Sequence, residues 1–394
     1  MESSKSADPC TLLLNLARNL RESQAIKLPS PEHTPVRASV AIVLRVRPSS
    51  YVPLSKLPTT VEEFVKQPWV SGGDPQLLYI KRATRQGDRW SGHVAFPGGK
   101  QEEADNGDDR ATAEREAREE VGLDLTGPEF LCLGALDDRE VSSTFAKRLL
   151  MILSPFVYLQ MSPITPQMTI QLREVASAHW IPLSIFYDYL EHPRWTPISV
   201  DLSRRLFPYF TSGLFRKFLR TIMGEMHFHC INMPNYIETP QSSDSPLTSH
   251  TSTSTTIAYS PTSATSSSKI SEEIQGMLEQ RIAPGKLRLW GLTLQMTSNL
   301  LDLMEHDARG PHRPLDGQMP RFDFIDINLL VLMFIKLGKR DERRGNWTTS
   351  WAGGPAWKSY LRAIRRAVVV SILLRLIGTA FMLRIAYRVF KRLM

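Results

Sequence analysis

Cysteine is scarce in this chain. Its three copies among 394 residues, Cys10, Cys132 and Cys230, are too scattered to form a disulfide framework, so a reducing, intracellular compartment is expected. The opening residues are not expected to act as a secretory leader either. These residues, MESSKSADPCTLLLNLARNLRES, carry Glu2 and Asp8 where a leader would be basic, and no small-residue cleavage site follows. They are expected to form an amphipathic helix capped by Asp8, with Pro9 in its first turn. A general basic surface is also lacking: much of the net charge of +8 comes from the last forty residues, so no nucleic-acid partner is expected.

The sequence does contain a series of short apolar runs. After a Pro-rich stretch, KLPSPEHTPV, the segments 38–46, 75–83, HVAFPGG, 129–136 and 149–160 read as strands. A charged helical segment falls between the third and fourth of these. Residues 172–192 and 285–305 each read as a strand followed by a helix, so a layered α/β or α+β domain is expected. Between Thr239 and Lys269 the composition turns abruptly to serine and threonine, with too little apolar surface to offset ordering entropy. A disordered insertion is expected there. The resulting division is 1–36, helix and Pro-rich segment; 37–238, main domain; 239–269, insertion; 270–305, return to the domain; 306–323, linker; 324–394, helical tail.

In that tail, residues 367–383, AVVVSILLRLIGTAFML, are apolar except for Arg375, and basic residues flank them on both sides. Seventeen residues reach about 25 Å as a helix, at the short end for a bilayer span. A central arginine costs about 2.5 to 3.5 kcal/mol on insertion. A span, a basic interfacial helix and a helix docked on the protein's own core are the three readings.

The charged helix runs AEREAREEVG, Ala113 to Gly122. Glu116, Glu119 and Glu120 stand at i, i+3 and i+4, so they share one face and oppose the helix by roughly 0.2 to 0.5 kcal/mol per pair. Arg115, four residues before Glu119, offsets part of this. Ala113, Ala117 and Val121 make a narrow stripe suited to close packing on a sheet, and Gly122 stands where a left-handed cap is expected. By itself the segment reads as a solvated helix. The preceding HVAFPGGK changes this, because a strand running into a Pro-Gly-Gly turn can bring backbone groups beside the acidic face, and hard divalent cations use clustered carboxylates together with substrate phosphates.

Residues Gly98 to Leu123, GGKQEEADNGDDRATAEREAREEVGL, resemble the signature of the Nudix hydrolases, GX5EX7REUXEEXGU with U a bulky aliphatic residue. The second half matches from Arg115 to Leu123 except for the small Ala117; in the first half Asp105 replaces Glu, and two extra residues separate it from Arg115. The flanking pattern is similar to that of the coenzyme A diphosphatase branch, with Gly92, Val94, Phe96, Pro97, Gly98, Gly99, Glu102 and Asp105 in step and Trp90 where histidine is usual.

The resemblance implies a mixed β-sheet sandwiched between helices and Mg²⁺- or Mn²⁺-dependent hydrolysis of a diphosphate joined to a nucleoside. Carried over by position, Glu116, Glu119, Glu120 and the Gly99 carbonyl would hold the metal, and Arg115 would orient Glu116. Glu174 is a weaker candidate for an outside acid, and Lys81, Arg82, Arg89 and Gly98 are candidate substrate contacts. Coenzyme A or acyl-CoA, cleaved to 3',5'-ADP and a 4'-phosphopantetheine product, is the leading substrate expectation. A dinucleoside polyphosphate, a nucleotide sugar or an oxidised nucleotide is the rival, favoured by Trp90, and a membrane-tethered module that binds a nucleotide without cleaving it is the third reading. His227, His229 and Cys230 alternate along a predicted strand, which does not suit one closed zinc site.

Overall fold

The computed structural model describes residues 8–30, 36–53, 56–85, 91–142, 149–192, 194–201, 213–234, 287–305, 321–338 and 355–393. Arg89, Trp90, the Ser/Thr-rich tract and the 306–320 part of the linker lie outside these residues.

In chain order the elements are α1 (Pro9–Glu22), β1 (Arg37–Arg47), α2 (Val61–Phe64), α3 (Pro68–Ser71), β2 (Asp74–Arg82), β3 (Val94–Ala95) and β4 (Gly98–Lys100). They continue with α4 (Asp109–Val121), β5 (Phe130–Ala135), β6 (Arg139–Ser142), β7 (Leu149–Gln160), β8 (Val175–Pro182), α5 (Ser184–Glu191) and β9 (Thr196–Asp201). The last are α6 (Gly213–Met223), β10 (Glu225–Met233), β11 (Leu287–Leu289), α7 (Gly291–Glu305), β12 (Arg321–Phe322), α8 (Ile325–Gly338) and α9 (Pro355–Leu393).

Eight strands form one mixed sheet with the path β3-β2-β1-β7-β5, to which β4, β6 and β8 add through β1, β7 and β2. The β1–β7 pair is parallel and the other pairs in this sheet are antiparallel. β1 is apolar on both faces because both are covered. One face carries Ala41 and Val43, against which α4 lays Ala113, Ala117 and Val121. The other carries Ile42 and Leu44 and packs with residues from α1, α5 and α7. The expected sandwich of a mixed sheet between helices is the observed fold.

α1 starts as its sequence implied: the Asp8 carboxylate accepts from the Thr11 amide at 3.3 Å, and Pro9 sits in the first turn. It is no loose appendage. Leu12, Leu13 and Leu16 are buried, and Asn15 and Asn19 donate to the Met304 and Leu303 carbonyls, tying the N-terminal helix to the end of α7.

β9, β10, β11 and β12 make a second, four-stranded antiparallel sheet centred on β10. On its Met226 and Phe322 side rests the α8–α9 helix pair, through Ile327, Val331, Ile364, Ala367 and Val368. β10 places Cys230 in the interior, where burial pushes its thiol up to about 12. His227 instead meets Asp323 at 2.6 Å and Ser199 at 3.0 Å.

Candidate active site

The site is built where β4 passes the middle of α4. β4 pairs with β1 so that Val40 faces Gly98 and Ser39 faces Gly99, and the Pro97 carbonyl accepts from the Ala41 amide at 2.8 Å. Both glycines are there because their surroundings leave no room for a side chain. A Cβ on Gly98 would collide with the Ser39 carbonyl oxygen and Val40, and one on Gly99 would collide with the Glu116 carboxylate itself. The Pro-Gly-Gly turn thus lies directly against the acidic face.

α4 is fixed at several points. Asp108 caps its first turn by accepting from the Arg110 amide at 2.8 Å, and Gly122 closes it at φ 75°. Arg37 of β1 grips Asp109 with Nε at 2.7 Å and Nη2 at 2.6 Å, and the same Nη2 reaches the buried Asp138 at 2.9 Å. The Ser154 hydroxyl of β7 lies within hydrogen-bond distance of both carboxylates, 3.1 Å from Asp109 and 2.7 Å from Asp138. Further along, Tyr158 donates to Glu114 at 3.1 Å.

Arg115 is the central cation of the cluster. Its Nε and Nη2 hold Asp105 at 2.9 and 3.0 Å, its Nη1 reaches Glu116 at 3.1 Å and Glu119 at 3.0 Å, and Nη2 also donates to the Lys100 carbonyl at 2.9 Å. Asp105 accepts in addition from the Thr112 hydroxyl and the Glu102 amide, and the Arg115 guanidinium, foremost among these partners, holds its carboxyl down at about 2. The substitution and spacing change in the first half of the motif therefore leave a short 3₁₀ turn, Glu103–Asp105, that still delivers a carboxylate to Arg115.

The three glutamates differ in environment. Glu120 is 1% exposed, accepts from the Gly98 amide at 2.8 Å, and has Arg82 Nη1 at 3.7 Å. Burial pushes its carboxyl up to about 8, with Glu116 and Glu174 adding to the rise. Glu116 is also buried, and burial is again the main cause raising its pKa. Glu119, half-exposed, faces solvent. Arg82 thus reaches the cluster, whereas strand alternation sends Lys81 to the other face of β2. Glu174 also lies close: Arg85 holds it at 3.1 Å, and its charge raises the pKa of both buried glutamates.

Among the described residues, no three His, Cys, Asp or Glu side chains already converge as a metal cage. The donor chemistry nonetheless suits a hard divalent cation. Glu116 and Glu120 are buried carboxylates on one face of α4, Glu116 adding to the rise of the Glu120 pKa, and a cation would relieve that charge. The sequence did not point to the Arg37–Asp109–Asp138–Ser154 network that anchors α4. Its members are isolated in the chain, and the only local signal was an acidic first turn on the helix.

The NUDIX domain family model matches residues 69–204, a range that contains the turn, α4 and Glu174. Residues 69–204 are a NUDIX domain. Over 197 residues the chain is 37% identical to an uncharacterized protein of Schizosaccharomyces pombe, covering 49% of this chain and 56% of that one. Over 116 residues it is 38% identical to the peroxisomal coenzyme A diphosphatase ndx-8 of Caenorhabditis elegans, covering 29% and 45%. The chain thus spans about half the length of the curated relatives it matches. Among solved structures it is similar to the NUDIX domain of Shewanella oneidensis NrtR complexed with ADP ribose, at 15% identity and a TM-score of 0.25, with 44% of this chain and 86% of that one covered.

Proposed function

We propose that the NUDIX domain is a divalent-metal-dependent pyrophosphohydrolase acting on coenzyme A or its thioesters. The observation that carries the reading is the pair of buried carboxylates, Glu116 and Glu120, set against the Gly98-Gly99 turn, with Arg115 and Arg82 beside them. Glu116, Glu119, Glu120 and the Gly99 carbonyl would hold Mg²⁺ or Mn²⁺. When bound, the cation neutralises diphosphate oxygens and lowers the pKa of a water.

The chain's own residues do the positioning. Arg115, braced by Asp105, orients Glu116 and Glu119 from one guanidinium. The Gly98 amide orients Glu120, and Arg82 is placed to meet a phosphate oxygen entering beside it. Glu174, held by Arg85, is the acid outside α4 placed to influence proton transfer. Water adds to one phosphorus, its proton passes to a carboxylate of the cluster, and the bond from that phosphorus to the bridging oxygen breaks. Glu116 and Glu120 are buried in one charged cluster and Glu116 raises the Glu120 pKa, so the base is assigned to the cluster and not to one residue. From coenzyme A the products are 3',5'-ADP and 4'-phosphopantetheine.

Two observations support the coenzyme A assignment: the run Gly92 to Asp105 that resembles this branch, and the 38% identity to a coenzyme A diphosphatase. Trp90, in place of the usual histidine, favours the second reading, a different nucleotide diphosphate. Incubation of the full chain with Mg²⁺ and a panel of coenzyme A, acyl-CoA, dinucleoside polyphosphates, nucleotide sugars and oxidised nucleotides decides between them. Release of 3',5'-ADP from coenzyme A is expected, and its absence alongside cleavage of another panel member would transfer the assignment to that substrate.

A further inference from the structure

The α8–α9 pair carries an apolar surface that the fold does not use. α8 is apolar on two opposite sides: Ile327 and Val331 face the second sheet, while Ile325, Leu329, Leu332 and Met333 form an exposed stripe on the other side. Helices of this kind belong in a protein interior or a membrane. α9 continues far beyond its partner. Ile364, Ala367 and Val368 are buried against α8 and the sheet, but the residues from Leu376 to Arg392 are all exposed.

The charges in this surface are arranged in two ways. Arg375, the one interruption of the apolar run, is held within the pair: Nη2 meets the two Asp326 oxygens at 2.7 and 2.9 Å, and the guanidinium lies 3.6 Å from the Phe324 ring centre. Ser371 donates to the same Asp326 at 2.5 Å. Beyond Arg375 the basic residues of the projecting helix form a stripe, with Arg384, Arg388, Lys391 and Arg392 at i, i+4, i+7 and i+8 on one face. Met382, Leu383, Ala386, Val389 and Phe390 lie on the opposite face. That is the pattern of a helix lying in an anionic membrane interface.

By length and apolarity α9 could cross a membrane from Arg362 to Arg392. Its packing favours a shallower placement: Ala367, Val368 and Ser371 at the start of the apolar run are buried in the protein, and the eleven residues from Leu373 to Leu383 reach about 16 Å against a hydrocarbon thickness near 30 Å. A second copy of the chain could cover the apolar face but would leave the basic stripe on the opposite face without a counter-charge, whereas an anionic bilayer surface meets both.

We infer that α8 and the distal half of α9 form a monotopic membrane-binding element that enters one leaflet of an anionic bilayer, with Arg375 neutralised inside the pair by Asp326. The inference is independent of the hydrolase reading. Its test is flotation of the full chain, carrying a C-terminal protease-cleavable tag, with phosphatidylcholine vesicles made with or without phosphatidylserine. Recovery at least ~10-fold higher on the anionic vesicles is expected from four basic residues near the surface. Added protease should remove the tag from sealed, vesicle-bound protein. The double variant Met382→Asp, Phe390→Asp should lose flotation and keep the thermal midpoint, since both side chains are exposed. A protected tag, equal recovery on neutral vesicles, or flotation of the double variant would overturn the inference. So would a dimer that does not float and that the double variant dissociates.

Discussion

Gly98 and Gly99 show how little freedom the cluster has. Alanine at 99 would push a methyl group into the Glu116 carboxylate, so Gly99→Ala is expected to lower turnover and weaken apparent Mg²⁺ affinity together, by about 10- to 100-fold, as changes around metal ligands do. Steady-state kinetics across a Mg²⁺ titration measure both. Glu119→Gln and Glu120→Gln are each expected to lower turnover at least ~100-fold. Unchanged rates in both would remove the site assignment and leave a nucleotide-binding module. Glu120 also carries a pH signature. Its carboxyl is raised by folding to about 8, so the folded state favours its protonated form. In metal-free protein, stability from this group is therefore full below its unfolded pKa and falls as pH rises from there to about 8. Thermal melts in chelator should show that loss, and Glu120→Gln should reduce it.

At the scale of elements, α4 depends on contacts that lie far away in the chain. Arg37→Ala would leave Asp109 and the buried Asp138 facing each other around Ser154, and breaking such a pair from one side costs about 3 to 5 kcal/mol. Urea unfolding measures that loss, and Arg37→Lys should recover only part of it because one ammonium cannot reproduce the guanidinium fork. The same dependence explains what could be read in advance. β1, β2, β5 and β7 were legible because each is a local apolar run, α4 because its small-residue stripe and Gly122 cap lie within it, and the glutamates because they sit within five residues of one another. Asp105 was doubtful on spacing alone; a 3₁₀ turn absorbs the extra residues, and turns of that kind leave little mark in composition. Arg37, Asp138 and Ser154 were not legible, since nothing near any of them in the chain signals a partner about a hundred residues away. The second sheet escaped for a related reason: strands near Cys230 and at the start of 285–305 were legible, but β12 is only two residues long and nothing local signals that it and β11 pair with β10.

Over the whole molecule, the two sheets separate the chemistry from the tail. Glu116 and Glu120 belong to the large sheet and α4, whereas α9 rests on β10, β12 and α8. Removing the tail from residue 360 onward would strip Ile364, Ala367 and Val368 from a buried cluster. Ile364 and Val368 each contribute about 1.5 to 3 kcal/mol by burial, so this cut should destabilise the second sheet and expose Met226 and Phe322. A chain ending after Arg375 keeps those residues and the Asp326 pair while removing the exposed helix. The shorter deletion is expected to leave both the thermal midpoint and hydrolysis of a soluble substrate unchanged while raising solubility without detergent. The longer one should lower the midpoint. Measured side by side, equal midpoints for the two truncations would mean that α9 adds nothing to the second sheet; loss of hydrolysis in the shorter one would mean that the tail reaches the active site.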